Sequence, residues 1–291
     1  MPSVSQRDSG EDSARQDGAP RVRPIASGEG WSVGEFVCDA GPSDRPFEER
    51  HEGYSIAAVL SGSFTYRGEA GEALLLPGAM LLGNHGRCFC CDHVHGVGDR
   101  CVSFNFAPEI FAEIAASAAG SSRYRFGADT AAARRGMTPI LAAAATIARE
   151  RSPLSAEPIA FRLAERTIAA LAGHVGAPPR ANAQERRRVA AAFRAIEERA
   201  AEPLDLATLA GVARMSKYHF LRVFRRVVGL TPYQALLNAR MRRAVERIAS
   251  SRDTIASIAF EAGFGDLSTF NNRFRAEFGM SPSAYRARGP L

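Results

Sequence analysis

The sequence predicts an α+β protein: an N-terminal antiparallel β-barrel followed by helices, then a C-terminal all-α domain with two helix-turn-helix motifs. Three observations carry that prediction. Between Trp31 and Phe106, short apolar stretches are separated by Gly, Pro, Asn and Asp at the spacing of an all-β unit. From Ala107 onward the texture turns to alanine with periodic Ile, Leu and Phe, as in amphipathic helices. Over the last hundred or so residues, two segments repeat each other.

A chain of 291 residues can bury two cores of ordinary size. Its composition, 46% apolar and 23% charged, is that of a globular protein rather than a disordered one. Apolar runs such as Ala73–Leu76 are far too short to cross a membrane as a helix, and Met1 to Pro24 lacks the apolar core of a secretory signal. The expectation is a cytoplasmic protein that makes no use of a membrane. Charge is unevenly placed. Gln184–Leu291 holds 19 basic against 10 acidic residues, a net of +9, whereas the remainder nets −3. All the basic residues but Lys217 are arginine. A basic third joined to a slightly acidic remainder suits one module that meets a polyanion and another with a different task.

Residues 1–30 read as a solvated, disordered tail. Strands are expected at Ser32–Cys38, Ser55–Leu60, Phe64–Arg67, Ala73–Leu76, Met80–Leu82, Cys88–Val94 and Cys101–Phe106. Helices are expected at Pro108–Ala118, Met137–Glu150 and Glu157–His174. The apolar stripes of the last two, Ile140 and Ile147, then Ile159, Leu163, Ile168 and Leu171, could cover the barrel or pair with a second subunit, with dimerisation favoured. An exposed connector with paired prolines, Gly176–Asn182, leads into the final helical region. The division is a β-barrel over 31–120, a helical dimerisation or linker region over 121–183 and a basic all-helical domain over 184–291.

The repeat is the strongest signal. Leu206–Ala213 matches Ile255–Ala262 at an offset of 49. After a one-residue insertion in the turn, Phe220, Phe224, Gly229 and Pro232 match Phe270, Phe274, Gly279 and Pro282 at an offset of 50. Each unit is a short apolar helix, a turn, and a second helix stopped by Gly and then Pro, which is the helix-turn-helix plan used twice. In the first unit Phe220, Val223, Phe224 and Val227 face the core, leaving Lys217, Tyr218, Leu221, Arg222 and Arg225 outside, and Ser216 joins them as a DNA-binding candidate. In the second, Phe270, Phe274 and Phe278 face inward, leaving Ser268, Asn271, Asn272 and Arg275 outside. Arginine can read guanine bidentately and asparagine can read adenine.

Residues 203–288 resemble the DNA-binding domain of the AraC/XylS family of transcriptional regulators. The likeness rests on Leu206-Ala-x-Leu-Ala210, Ser216-x-Tyr-x-x-x-Arg-x-Phe224, Gly229-x-Thr-Pro232 and Arg240-x-x-x-Ala244. It continues in Ile255-Ala-x-Ile-Ala259, Gly263-Phe264, Phe270-x-x-x-Phe274 and Gly279-x-Ser-Pro-x-x-Tyr-Arg286. The resemblance implies a linker helix over about Pro232–Ala249 that holds two recognition helices in successive major grooves. It places base contacts at Tyr218, Leu221 and Arg222 in the first unit and at Leu267, Ser268 and Asn272 in the second. The short side chains of the second imply a more shape-dependent reading there. The implied partners are double-stranded promoter DNA, RNA polymerase and a second copy of the chain.

The upstream region resembles, more loosely, the cupin-type ligand-binding domain. His51 stands for the second histidine of the first cupin motif, Ser55 stands where its glutamate belongs and Gly62 closes it. Gly71, Pro77, Ala79 and Leu82 fall on the second motif. The turn-forming positions are largely kept and most metal ligands are absent, so the resemblance implies a scaffold rather than a dioxygenase. His51 is the candidate ligand-binding residue of its interior.

Four of five cysteines lie between Cys88 and Cys101, among them Cys90 and Cys91, interleaved with His93 and His95. On an extended strand Cys91, His93 and His95 share a face opposite Cys88, Cys90 and Asp92, and a glycine turn could return Cys101 beside them. Cys91, His93, His95 and Cys101, with Cys88 as an addition, are the candidate ligands for zinc or a similar ion. Redox sensing and plain core packing remain open for the same residues. Cys38 stands apart and reads as a core residue. The expected function is therefore a DNA-binding regulator that senses a small ligand, metal ion or thiol-reactive signal, and not an enzyme. Alternatives are a DNA-alkylation repair methyltransferase fused to the same DNA-binding domain, or a constitutive DNA-binding protein with a purely dimerising barrel.

Overall fold

The N-terminal half builds two antiparallel sheets in a computed structural model that describes residues 20–93, 98–131, 138–150, 153–172 and 181–288. The strands are β1 (Arg21–Gly28), β2 (Trp31–Cys38), β3 (Phe47–Arg50), β4 (Tyr54–Gly62) and β5 (Phe64–Gly68). They continue with β6 (Gly71–Leu75), β7 (Met80–Gly83), β8 (Cys88–Asp92), β9 (Asp99–Phe106) and β10 (Thr130–Ala131). One sheet has the order β1-β2-β9-β4-β7-β10 and the other β3-β8-β5-β6. Among the described residues no strand pairing joins the two into a closed barrel. They pack face to face instead. Ala57, Val59, Leu81 and Cys101 of the larger sheet share a core with Phe64, Tyr66, Leu75 and Cys91 of the smaller.

Strand β1 corrects the expectation of a disordered tail through Gly30. Most of its side chains are exposed and only Ile25 is buried, so it carries no apolar alternation to read. Its backbone nonetheless pairs along the edge of β2 through a reversal at Gly30, whose φ of +71° is open to glycine at little cost. Residues 1–19 of that tail lie outside the described residues.

Strand β4 is buried on both faces, and alternation explains where the helices go. Ala57 and Val59 point at the smaller sheet, while Ile56 and Ala58 point at a second core with Met80, Leu82, Val102 and Phe104. Helices α1 (Pro108–Ala119), α2 (Thr138–Glu150) and α3 (Pro153–Leu171) cover that outer face. Ile140, Ile147, Ile159, Leu163 and Ile168 are all buried there, with Leu171 packed at the margin. Of the two uses the sequence left open for these stripes, covering the sheet is the one realised. The stripe residues bury their apolar area within the chain.

The C-terminal part comprises α4 (Ala183–Glu198), α5 (Leu206–Val212), α6 (Lys217–Val228), α7 (Pro232–Ser250), α8 (Ile255–Glu261), α9 (Leu267–Phe278) and α10 (Pro282–Arg288). It has two cores, one under α4–α6 and one under α8–α10, with α7 contributing to both. Neither core belongs to this part alone. Leu74 and Leu76 enter the first from the smaller sheet's edge, and Ala142 of α2 enters the second.

Candidate nucleic-acid interface and sensor cavity

The two helical units superpose in sequence as predicted: α5 and α8 start 49 residues apart, and α6 and α9 start 50 apart. Each second helix is capped by a short polar side chain. Ser216 accepts from the His219 amide at 3.3 Å, and Asp266 accepts from the Thr269 amide at 2.7 Å. Each ends at a left-handed glycine, Gly229 (φ +77°) or Gly279 (φ +72°), which satisfies a last-turn carbonyl. Phe220, Val223, Phe224, Phe270 and Phe274 are buried, while Val227 and Phe278 lie at the core margin.

Ser216, Lys217, Leu221, Arg222 and Arg225 are exposed on the first unit, as are Ser268, Asn272 and Arg275 on the second. Leu267 and Asn271 are half-buried, and the Tyr218 side chain lies outside the described residues. Helix α7 holds the second unit in place, because Asn238 accepts from Arg273 of α9 at 2.8 Å. Arg240 reaches across to the carbonyls of Ala200 (2.7 Å) and Glu202 (2.9 Å), tying α7 to the turn that follows α4.

Between the two sheets lies a cavity of about 780 Å³. The β4–β9 register sets its two ends, with Ser55 opposite Asn105 at one and Gly62 opposite Asp99 at the other. At the first end, His51 Nδ1 lies 3.2 Å from Ser55 Oγ and Nε2 lies 3.1 Å from Tyr66 Oη. The ring stacks on Phe89 with centroids 4.3 Å apart. Burial lowers its pKa to about 4, so the imidazole is neutral near pH 7. Gly83 makes room for this arrangement, since a Cβ there would sit 2.3 Å from Ser55 Oγ and 2.5 Å from the His51 ring.

At the other end, Cys38 Sγ, a His93 ring nitrogen and an Asp99 carboxylate oxygen lie within 4.8 Å of one another. His93 Nε2 is 2.5 Å from Asp99 Oδ2, and Cys101 Sγ donates to Asp99 Oδ1 at 3.3 Å. Burial on its own would lower the His93 pKa, but its hydrogen bonds to Asp99 and Cys38 outweigh that and raise it to about 9. Burial holds the Cys91 and Cys101 thiols well above their ordinary range.

A family model described as a helix-turn-helix domain matches residues 209–288. The MmsAB operon regulatory protein of Pseudomonas aeruginosa is 34% identical over 85 residues, which is 29% of this chain and 28% of that protein. The HTH-type transcriptional activator RhaS of an Enterobacter species is 32% identical over 91 residues, 31% of this chain and 33% of that one. The chain carries an AraC/XylS-type DNA-binding domain. The match spans only about a third of these relatives' length. A solved structure of the DNA-binding domain of AdpA with a target DNA is 33% identical, covering 35% of this chain and 91% of that chain at a TM-score of 0.34.

Upstream of the AraC-type domain, the cysteine–histidine candidates divide. Cys91, His93 and Cys101 line the cavity, as strand alternation requires. Cys88 is exposed and Cys90 half-buried on the opposite face, where Asp92 pairs with Arg67 at 3.2 Å. His95 lies outside the described residues. The reading of Cys38 as an isolated core residue is corrected: it is buried, but against His93 and Asp99. Asp99 stands outside the ligand set expected from the sequence. Only the β2–β9 register, which sets Cys38 opposite Asp99, joins them, and no local spacing could have signalled it.

Helix α4, which shares a core with α5 and α6, is also tied to the sheets. Arg186 of α4 hydrogen-bonds to Glu72 of β6, Glu72 lies 3.8 Å from Arg67, and Arg67 reaches Asp92. The preceding residue on α4, Glu185, pairs with Arg226 of α6 at 2.5 Å. Gly62 and Gly98 line a cleft of about 460 Å³ whose far wall includes Phe193 and Glu197 of α4.

Proposed function

We propose that this protein is a sequence-specific transcriptional regulator in which the two-sheet unit senses a chemical signal and controls how the AraC-type domain engages promoter DNA. The carrying observation is the pair of helices α6 and α9, each capped, terminated and packed alike, each presenting polar side chains to solvent. Arg222, with Tyr218 and Leu221 beside it, reads one major groove, and Asn272, with Leu267 and Ser268, reads the next. Lys217, Arg225 and Arg275 meet phosphates, and Ser216 and Asn271 flank the base-reading positions.

The sensor has a cupin-like plan over residues 31–120, extended by β1. His51, Ser55 and Gly83 stand together at one end of its cavity, around the positions of the first cupin motif. The helices of 121–183 cover the sheet, and residues 184–291 form the DNA-binding domain. The regulator acts in the cytoplasm, as a homodimer whose seam lies away from the covered stripes of α2 and α3, and works on RNA polymerase at the promoter.

Selection of bound duplexes from a random pool by the full-length protein tests this. The expected product is a motif in two parts about one helical turn, roughly 10 base pairs, apart. Binding that shows no preference over competitor DNA would overturn the reading.

A further inference from the structure

We propose that Cys38, His93 and Asp99, with Cys101 as the fourth donor, form a binding site for a borderline divalent cation of the zinc type. This deepens the regulator reading by naming the class of signal that the sensor takes.

The donors come from three separate stretches. Cys38 ends β2, His93 follows β8, and Asp99 and Cys101 begin β9. All four are largely buried, and each lines the cavity between the sheets, which gives an ion a way in. The set offers thiolate sulfur, imidazole nitrogen and carboxylate oxygen, a mixture that suits zinc and its neighbours better than calcium or magnesium.

The geometry is close to what such an ion needs. Tetrahedral coordination at donor distances of about 2.0–2.3 Å places ligand atoms roughly 3.3–3.8 Å from each other. The contacts found here bracket that range, from 2.5 Å between His93 and Asp99 to an outer limit of 4.8 Å for the Cys38, His93 and Asp99 set. Cys101 Sγ already touches Asp99 at 3.3 Å. Loading the ion needs shifts of about 1 Å among Cys38, His93 and Asp99, and Cys101 has to turn in from the Oδ1 side of that carboxylate, with both thiols and the imidazole giving up protons to solvent.

The backbone around the donors is tightly held. Gly62 and Gly98 both have positive φ, +77° and +72°, and a Cβ on Gly62 would lie 2.2 Å from the Gly98 carbonyl. A Cβ on Gly98 would lie 2.7 Å from the Cys38 carbonyl. The same two glycines face α4 across the cleft, so an ion that draws Cys38 and Asp99 together pulls on the wall next to the AraC-type domain.

The test uses reduced, chelator-stripped full-length protein titrated with cobalt(II) as the probe and then with zinc(II). The expected result is one cobalt per chain with thiolate-to-cobalt charge-transfer absorption, displaced stoichiometrically by zinc. Cys38→Ser, His93→Gln and Asp99→Asn should each weaken cobalt binding by more than the ~10–100-fold that an outer-shell change costs. Cys88→Ser, an exposed thiol on the other face of β8, should leave it unchanged. Asp99→Asn is nearly isosteric, and an unaltered far-ultraviolet spectrum and melting curve without metal would exclude misfolding as the cause. Absence of tight binding, or binding unchanged in both Cys38→Ser and Asp99→Asn, would overturn the site. So would loss in Cys88→Ser alone, which would move the ion to the outer thiols, or modification of Cys38 by electrophiles in a protein that binds no metal. Because cobalt absorption is read without DNA, failure here leaves the regulator reading to its own experiment.

Discussion

Glu72 of β6 accepts a hydrogen bond from Arg186 of α4, and this contact joins the smaller sheet to the helix that shares a core with α5 and α6. The Arg186 side chain is 13% exposed and that of Glu72 34%, so solvent screens the pair only in part. Glu72→Gln should cost about 1 kcal/mol or less in global stability. Its larger effect should be local. Amide hydrogen exchange in the first turns of α4 should rise, because the capping box at Asn182 and Glu185 loses the neighbour that holds it against β6. Equal exchange in the two proteins would show that Leu74 and Leu76 alone carry the contact.

A fragment beginning near Gln184 should bind duplex DNA, with affinity falling steeply as salt rises. Its net charge of +9 implies several phosphate contacts, each adding a slope of about −0.9 to log K against log salt. A flat dependence, measured by fluorescence anisotropy, would contradict the electrostatic part of the interface.

Arg222→Ala should lose roughly 1–3 kcal/mol of binding to the preferred site and relax preference at one base pair. Asn272→Ala should relax preference in the other half, about one helical turn away. Binding-site selection with each variant decides the matter, and changes at the same base pair would refute the two-groove arrangement.

His51 should make stability depend on acid. Its pKa is lowered by burial from 6.5 to about 4, so only the unfolded chain takes up a proton between those values. The contribution is complete above pH 6.5 and is lost as pH falls toward 4, with a slope approaching 1.4 kcal/mol per pH unit, roughly, at most. Urea unfolding of His51→Asn across that window should give a shallower acid dependence than the parent chain. Parallel curves would mean that the imidazole is not buried as described.

Gly83→Ala should destabilise the sensor by roughly 1–3 kcal/mol, because the added methyl overlaps both Ser55 Oγ and the His51 ring. Thermal unfolding would register it, and an unchanged melting temperature would mean that the His51 end of the cavity has room to spare.

Much of this architecture is local and so can be read along the chain. Helix periodicity, the cap residues Ser216 and Asp266 and the stops at Gly229 and Gly279 act within a turn or two of backbone. The boundaries of α6, α7 and α9 and the polar faces of α6 and α9 follow from them. Strand alternation around Cys88–His93 likewise sorts the inward from the outward side chains. Strand β1 escaped that kind of reading because an edge strand with one buried residue has no pattern to show.

What the sequence determined by itself is therefore the repeated helix-turn-helix, its outward residues and the existence of a β-unit with a cysteine–histidine face. Tertiary structure alone decided that the α2 and α3 stripes cover a sheet, that Cys38 meets His93 and Asp99, and that Glu72 meets Arg186. The reason is distance along the chain. Hydrogen-bonded turns and caps link residues within a few positions, whereas strand register and core packing join residues tens or more than a hundred positions apart, and no local spacing records which of them will touch.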